Sequence, residues 1–327
     1  MSMSKIEFSI DNVESVMRRA DILDYIQAYD MGVYYAPPIN WNSLAKALRS
    51  NAHHSSCIYV KKNILGSTYI DNDILQRQDF EAAVLDYLIF GNCYLEKKYN
   101  RAGRLMALSH VPAKYARRGK KLTKYYLIKG SGEYHEFPEH AVLHLMNPDI
   151  NQEIYGMPEY IAALQSALLN ESATLFRRKY YLNGTHAGYI MYLTDPKIDE
   201  QDVEALRKAV QSSKGVGNFK NLFMYSPNGD KAGLNLIPLS EVAAKDEFMN
   251  IKDVTRDDVL AAHRVPPHLM GIVPKVTGGF GSITDAAKVF NANEIEPLQS
   301  RFYEFNRMLN KRVIEFGTYS LAADPKE

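Results

Sequence analysis

Three histidines, His135, His140 and His144, lie five and four residues apart, and clustered imidazole nitrogens are the ligands from which hydrolytic zinc sites are built. The segment that carries them reads as a turn and a strand, with no HExxH helix to bring two rings onto one face. Exposed or hydrogen-bonded histidines are the simpler reading, and a metal-dependent hydrolase using these three residues stands as the alternative function. Gly278-Gly279-Phe280-Gly281 precedes a capped helix, as phosphate-binding loops do. It lacks the Gly-Lys-Ser/Thr ending and follows no strand, so nucleotide binding is disfavoured and a loop made bendable by glycine is preferred. The run from Lys114 to Lys121, with Lys124-Tyr125-Tyr126 beyond it, interleaves cations with aromatics in a pattern suited to phosphates. Charge patterning favours a solvated hairpin there. No GxSxG elbow, paired CxxC or Cys-His spacing marks a nucleophile, so the expectation is a protein that is not an enzyme, without metal or cofactor.

Composition narrows the class further. At 327 residues the chain exceeds one average core, and two or three packing units are expected. A formal charge of +1 with 24% charged residues argues against a protein that grips nucleic acid by bulk phosphate neutralisation, though not against DNA as a passing guest. Cys57 and Cys93 are the two cysteines, both in apolar surroundings, so a reducing compartment is expected and a disulfide framework is not. No apolar run approaches the roughly 20 residues of a membrane helix, and residues 1–30 are charged throughout and unlike a signal peptide. A cytoplasmic protein follows.

The elements that must position any site read as α+β. Residues 1–20 have no clear period and are expected to form an arm. Residues 21–29 read as a short helix ending before a turn at Tyr35-Ala36-Pro37-Pro38. Trp41, Leu44 and Leu48 have helical spacing, and a second helix from about Asp79 places Phe80, Val84, Tyr87 and Leu88 on one face before Gly91 stops it. Extended runs follow at 93–96, 105–109, 125–128 and 141–146.

A long helix begins at Pro158, a favoured first helical residue, and runs to the Asn183-Gly184 stop. Its ~24 residues give roughly 36 Å at 1.5 Å per residue, and between Leu164 and Phe176 one face is small and polar. A strand at 188–193, a helix opened by Ile198-Asp199-Glu200-Gln201-Asp202-Val203 and strands at 221–225 and 234–239 form a compact tip. A second long helix spans 240–263 and ends at Val265-Pro266-Pro267. A loop rich in proline and glycine follows. Ser282 and Asp285 then cap a helical region interrupted at Pro297, with Leu298, Phe302, Phe305, Leu309, Val313 and Phe316 in helical spacing, and a frayed tail at 322–327.

The order of elements, together with YGMPEY, the join FRRKYYLNGTHAGYIMY, NLFMYSP, IPLSE and HRVPPHLMG, resembles the bacteriophage portal proteins of the P2-like (PBSX) branch. DILDYIQ, YYAPPINWNSLAKALRSNAHHSSCIYVKKNILGSTYI, FGNCYLEKKYN and PAKYARRG extend the resemblance upstream, so that it covers about residues 21–321. It implies a ring, usually of twelve subunits, at one vertex of the virion capsid, assembled in the cytoplasm of a bacterial host. The terminase large subunit docks on such a ring and packages double-stranded DNA through it without sequence specificity. Major capsid, scaffold, head-completion and tail proteins are the other implied partners, and the DNA later leaves by the same route.

Carried over by position, residues 1–20 are the N-terminal arm and 21–157 the first part of the wing. Residues 158–184 and 240–265 are two stem helices, 185–239 an α/β clip, 266–284 the tunnel loop, and 285–327 the remaining wing helices and tail. A helical crown is expected to be short or absent. The resemblance implies that Lys275, Val276, Thr277, Gly278, Gly279 and Phe280 face the DNA. Arg177, Arg178 and Lys179 either line the channel or complement their helix's C-terminal dipole. Terminase docking is expected on the clip at Asp199, Glu200, Asp202 and Glu204. A near-neutral chain suits such a passage, because a strongly basic lumen would hold the duplex.

Overall fold

The computed structural model describes residues 28–130, 132–182, 189–193, 222–225, 234–238, 241–272 and 282–321, with side chains described outside 179–249 and for all of these but Tyr29. The expected arm at 1–20, the helix opening at 198, the glycine loop at 273–281 and the tail at 322–327 lie outside those residues. The chain divides into two units. The larger takes the described residues up to Leu168 and from Arg256 onward, and the smaller those from Leu169 to Thr255.

The larger unit opens with a two-stranded ribbon, β1 (Tyr29–Asp30) against β2 (Tyr35–Ala36). This corrects the reading of Tyr29 as helical and Tyr35-Ala36 as a turn. The reversal falls earlier, at Gly32, whose φ of 89° suits glycine and whose N–H donates to the Asp30 carboxylate at 2.8 Å. Helix α1 (Trp41–Ala47) starts where the Asn40 side chain accepts from the N–H groups of Asn42 and Ser43.

Helix α2 (Ala52–Thr68) was not expected from the sequence. Asn51 caps it, and it buries His54, Cys57, Ile58, Lys61, Ile64, Leu65 and Thr68 at intervals of three and four. Three polar members break the apolar stripe, which hides the helical period. Helix α3 (Arg77–Phe90) buries Phe80, Ala83, Val84 and Tyr87. Gly91 stops it at φ 67°, where an added Cβ would also stand 2.4 Å from the Met157 carbonyl carbon. Both the backbone angle and the space require glycine.

Two antiparallel sheets follow. In the first, β3 (Asn92–Tyr99) is central between β4 (Leu105–Val111) and β8 (Val142–Met146). In the second, β6 (Tyr125–Gly130) lies between β5 (Ala116–Arg118) and β7 (Glu133–Glu136). Two apolar clusters hold the unit together. One joins Tyr69, Phe80, Phe302 and Phe305, with Tyr69 stacked on Phe80 at 4.1 Å, and the other joins Trp41, Phe90, Tyr94, Tyr155 and Tyr160. Each such buried aromatic contributes about 1.5–3 kcal/mol through area removed from water.

At the far end of the unit Ser282 and Asp285 form a reciprocal capping box for α6 (Ile283–Phe290). One π turn (Asn291–Ile295) then leads into α7 (Glu296–Phe302). The π turn precedes Pro297, which has no N–H to give to a helical carbonyl, and widening the helix accommodates that loss. Helix α8 (Glu304–Leu309) ends at Asn310 with φ 48°. The helical spacing read through to Phe316 is therefore corrected. The Asn306 side chain accepts from the N–H groups of Val313 and Ile314, 2.8 Å each, and holds that segment extended while Val313 stays buried.

In the smaller unit the central strand is β9 (Tyr189–Leu193), parallel to β10 (Leu222–Tyr225) and antiparallel to β11 (Leu234–Pro238). A parallel neighbour needs a crossover of a dozen or more residues, and residues 194–221 supply that length. Two long helices cross the unit boundary. The first, α4 (Leu164–Leu182), follows a 3-10 turn (Glu159–Ala163) after Pro158, and the second is α5 (Glu241–His263). The small, polar face read on α4 is used inside the smaller unit, where the Asn170 amide donates to Thr255 Oγ1 at 2.8 Å and to the Lys252 carbonyl at 3.2 Å.

Candidate functional site

The metal-site alternative fails on geometry. His135 is an exposed residue of β7 whose ring meets Phe137 edge-on. His140 sits at a corner with φ 59°, its side chain exposed beside Glu139. His144 is half-buried: it stacks on Tyr94 at 4.2 Å, and its Nε2 meets Asn92 Oδ1 at 2.9 Å. Burial, with Arg118 adding to it, pushes His144 well below the ordinary histidine range, which suits a neutral ring. Among the described residues no group of three His, Cys, Asp or Glu side chains could hold a metal ion.

The basic hairpin is committed to internal partners. The Arg117 guanidinium lies 5.0 Å over the Trp41 ring, and Arg118 donates to the Ile154 carbonyl at 3.2 Å. Lys120 pairs with Asp30, Lys121 with Glu139 and Lys124 with Glu136. These contacts fasten β5 and β6 to the ribbon and to the 136–139 corner, and they leave few free cations to meet a phosphate. Arg177 and Arg178 are exposed near the end of α4. Arg177 lies close enough to Lys252 to add to the burial that already lowers the lysine's proton affinity. The Lys179 side chain, the loop residues Lys275 to Phe280 and the acidic set Asp199, Glu200, Asp202 and Glu204 all fall outside the described residues.

A charged cluster unnoticed in the sequence lies inside the larger unit, at the root of the two long helices. Lys61 of α2 meets Glu294 of the π turn at 2.8 Å, with both side chains about 5% exposed. Glu294 also accepts from Arg264, just past the end of α5, and Arg264 reaches Glu159 in the 3-10 turn that precedes α4. The Glu294 hydrogen bond, followed by the field of Glu159, raises the proton affinity of Arg264. Beside this chain, His54 Nδ1 and His263 Nε2 are 2.9 Å apart, and both rings pack against Tyr160. Burial pulls His54 down to about 4. It pulls His263 down to about 2, with His54 and Lys61 contributing. The pair is therefore neutral near pH 7. One signal of this cluster was available in the sequence: Lys61 stands three residues from Ile58 and from Ile64, on a stripe that is otherwise apolar. A lysine there must be paired to be buried.

The fold is the one seen in phage portal and neck structures. The neck of a native gene transfer agent particle computed with C12 symmetry aligns at TM-score 0.60 and 18% identity, over 84% of this chain and 82% of that one. An HK97-family phage portal protein from Corynebacterium diphtheriae aligns at TM-score 0.58 and 12% identity, over 86% of this chain and 97% of that one. In sequence, the protein named "Probable portal protein" of Escherichia phage P2 is 52% identical over 317 residues, which is 97% of this chain and 92% of that protein. A model of the family "Phage portal protein" matches residues 72–327. The chain belongs to the phage portal protein family.

Proposed function

We propose that copies of this chain close into a ring, of twelve subunits, at one vertex of a phage capsid, and that double-stranded DNA enters and later leaves the head through it. The observation that carries this reading is the 52% identity to the portal relative of phage P2 across nearly the whole of both chains. The C12 symmetry applied to a neck of the same fold supports the number twelve. On this reading residues 21–157 and 285–327 form the wing, 158–184 and 240–265 the stem, 185–239 the clip and 266–284 the tunnel loop. The terminase large subunit docks on the clip through Asp199, Glu200, Asp202 and Glu204, and hydrolyses the ATP that moves the DNA. Lys275 to Phe280 face the duplex, and Arg177, Arg178 and Lys179 line the channel above or below them. Scaffold and major capsid proteins surround the ring during assembly in the bacterial cytoplasm, and head-completion and tail proteins cover its outer end in the virion.

The chain's charge fits that role. With +1 per subunit the chain carries little net charge to grip the duplex, whose affinity for a protein climbs steeply with each phosphate neutralised, so any hold on the DNA comes from the rings of lumen cations such as Lys275. Electron microscopy of the purified full-length protein tests the reading. End-on rings with a central hole are expected, whereas a monomer that persists in the presence of scaffold and capsid protein would refute it.

A further inference from the structure

The charges in the Lys61 cluster balance only while its histidines are neutral. Two cations, Lys61 and Arg264, face two carboxylates, Glu294 and Glu159, and the two imidazoles share one hydrogen bond at 2.9 Å. His54 Nε2 is buried and has no hydrogen-bond partner among the described residues. Lys61 and Glu294 are the buried pair, while the Arg264 and Glu159 side chains are about half exposed, so a proton added to either ring places an uncompensated cation in the interior with Glu294 already committed to Lys61 and Arg264. Every element packed there contributes: His54 and Lys61 from α2, Glu159 and Tyr160 from the 3-10 turn, His263 and Arg264 from the end of α5, Glu294 from the π turn, and Tyr87 of α3. A cavity of about 30 Å³ lined by Lys61, Tyr87, Glu159, Tyr160 and His263 adjoins them, which is room for about one water molecule to carry the proton in.

The position of the cluster gives this imbalance a consequence. Arg264 precedes residues 265–272 and Glu294 lies in the π turn that follows 282–290, and their contact joins these two described stretches. Lys61 ties the π turn to α2, and the Cys57 thiol, 3.5 Å from the Met270 sulfur, ties residues 265–272 to it. We infer that Lys61, Glu294, Arg264 and the His54–His263 pair form an acid-sensitive clasp that fastens residues 265–272 and the π turn to α2. Protonation of the imidazole pair releases it. That the clasp anchors a DNA-facing loop rests on the portal-ring reading above. The clasp itself does not.

The two cysteines allow a direct test on the whole protein. Cys57 lies against Met270, and burial pushes its thiol up to about 12, while Cys93 is fully buried in β3 and opens only with the sheet. The rate at which 4,4′-dithiodipyridine labels each cysteine is measured from pH 7.5 to 5, relative to a free thiol, with peptide mapping to separate the sites. His54 is held at about 4 in the closed state against an ordinary 6.5. Opening should therefore rise roughly thirtyfold at pH 5 from this group alone. Cys57 labelling should follow that rise while Cys93 stays protected, and a His54→Leu/His263→Leu variant, or His263→Asn if the double variant does not fold, should flatten it. A flat wild-type Cys57 rate, an unchanged acid response in the variant, or Cys93 labelling in step with Cys57 would each overturn the clasp. No ring or DNA enters the assay, so its failure would leave the portal reading standing, and a failed ring experiment would leave the clasp untouched.

Discussion

Replacing Glu294 with glutamine isolates the energetic weight of the buried cluster. Lys61 is 5% exposed at its side chain, and Glu294 is its ion-pair partner among the described residues. Arg264 also loses a contact but keeps Glu159. The variant thus leaves one ammonium buried without a counter-charge, and breaking a buried pair from one side costs about 3–5 kcal/mol. The amide oxygen of glutamine still accepts a hydrogen bond, which places the expected loss near the lower figure. For a unit of this size 1 kcal/mol moves the melting temperature by about 2–4 °C, so Glu294→Gln should melt roughly 6–12 °C below the wild type. Lys61→Met should cost less, because Glu294 keeps Arg264, and Lys61→Met/Glu294→Gln should be more stable than the sum of its parts predicts. Calorimetry on the four proteins at pH 7.5 closes the double-mutant cycle. A Glu294→Gln protein melting within about 2 °C of the wild type, or strictly additive changes, would show that the contact is not an energetic pair.

Three further outcomes are expected. Burial depresses His54 from its ordinary 6.5 to about 4, so the unfolded chain takes up a proton that the folded chain refuses. Stability should be intact above pH 6.5 and fall by up to about 3 kcal/mol as the pH drops towards 4; denaturant titrations across that window should show the slope in the wild type and a smaller one in His54→Leu. Lys275→Glu combined with Gly278→Ala and Gly279→Ala should leave rings intact while packaged DNA per particle falls, and normal packaging would remove the loop from the DNA path. Reversing Asp199, Glu200, Asp202 and Glu204 to lysine should weaken terminase binding to the ring by about tenfold or more in a sedimentation assay, since like charges at a docking surface repel; unchanged binding would move the contact elsewhere on the clip.

Much of the architecture was legible because its signals are local. Ser282 with Asp285, Gly91 and the proline at 158 mark element ends through chemistry within a few residues, and the structure forms a capping box, a left-handed stop and a 3-10 entry there. Tyr29 and Tyr35 were misread because a two-residue strand has no period to detect. Helix 52–68 was missed for a different reason: His54, Lys61 and Thr68 occupy its buried stripe, and periodicity counts them as outside. The continuation of α8 towards Phe316 also failed on a distant cause, since Asn306 captures two backbone N–H groups seven and eight residues on. The Lys61 cluster is the extreme case. Its partners are 105, 209 and 233 residues apart along the chain, so only the fold brings them together. The tempting histidines, close in sequence, are by contrast divided between β7, a corner and the half-buried middle of β8. Chemistry read from spacing alone favours neighbours, whereas this protein builds its charged core from strangers.

The portal account is tested most directly by cryo-electron microscopy of particles assembled by the phage that encodes this chain, without imposed icosahedral symmetry. The account predicts one ring of twelve copies of the chain at a single vertex, with DNA density on its axis in filled particles. Density for the chain at every vertex, or its absence from assembled heads that still hold DNA, would contradict it.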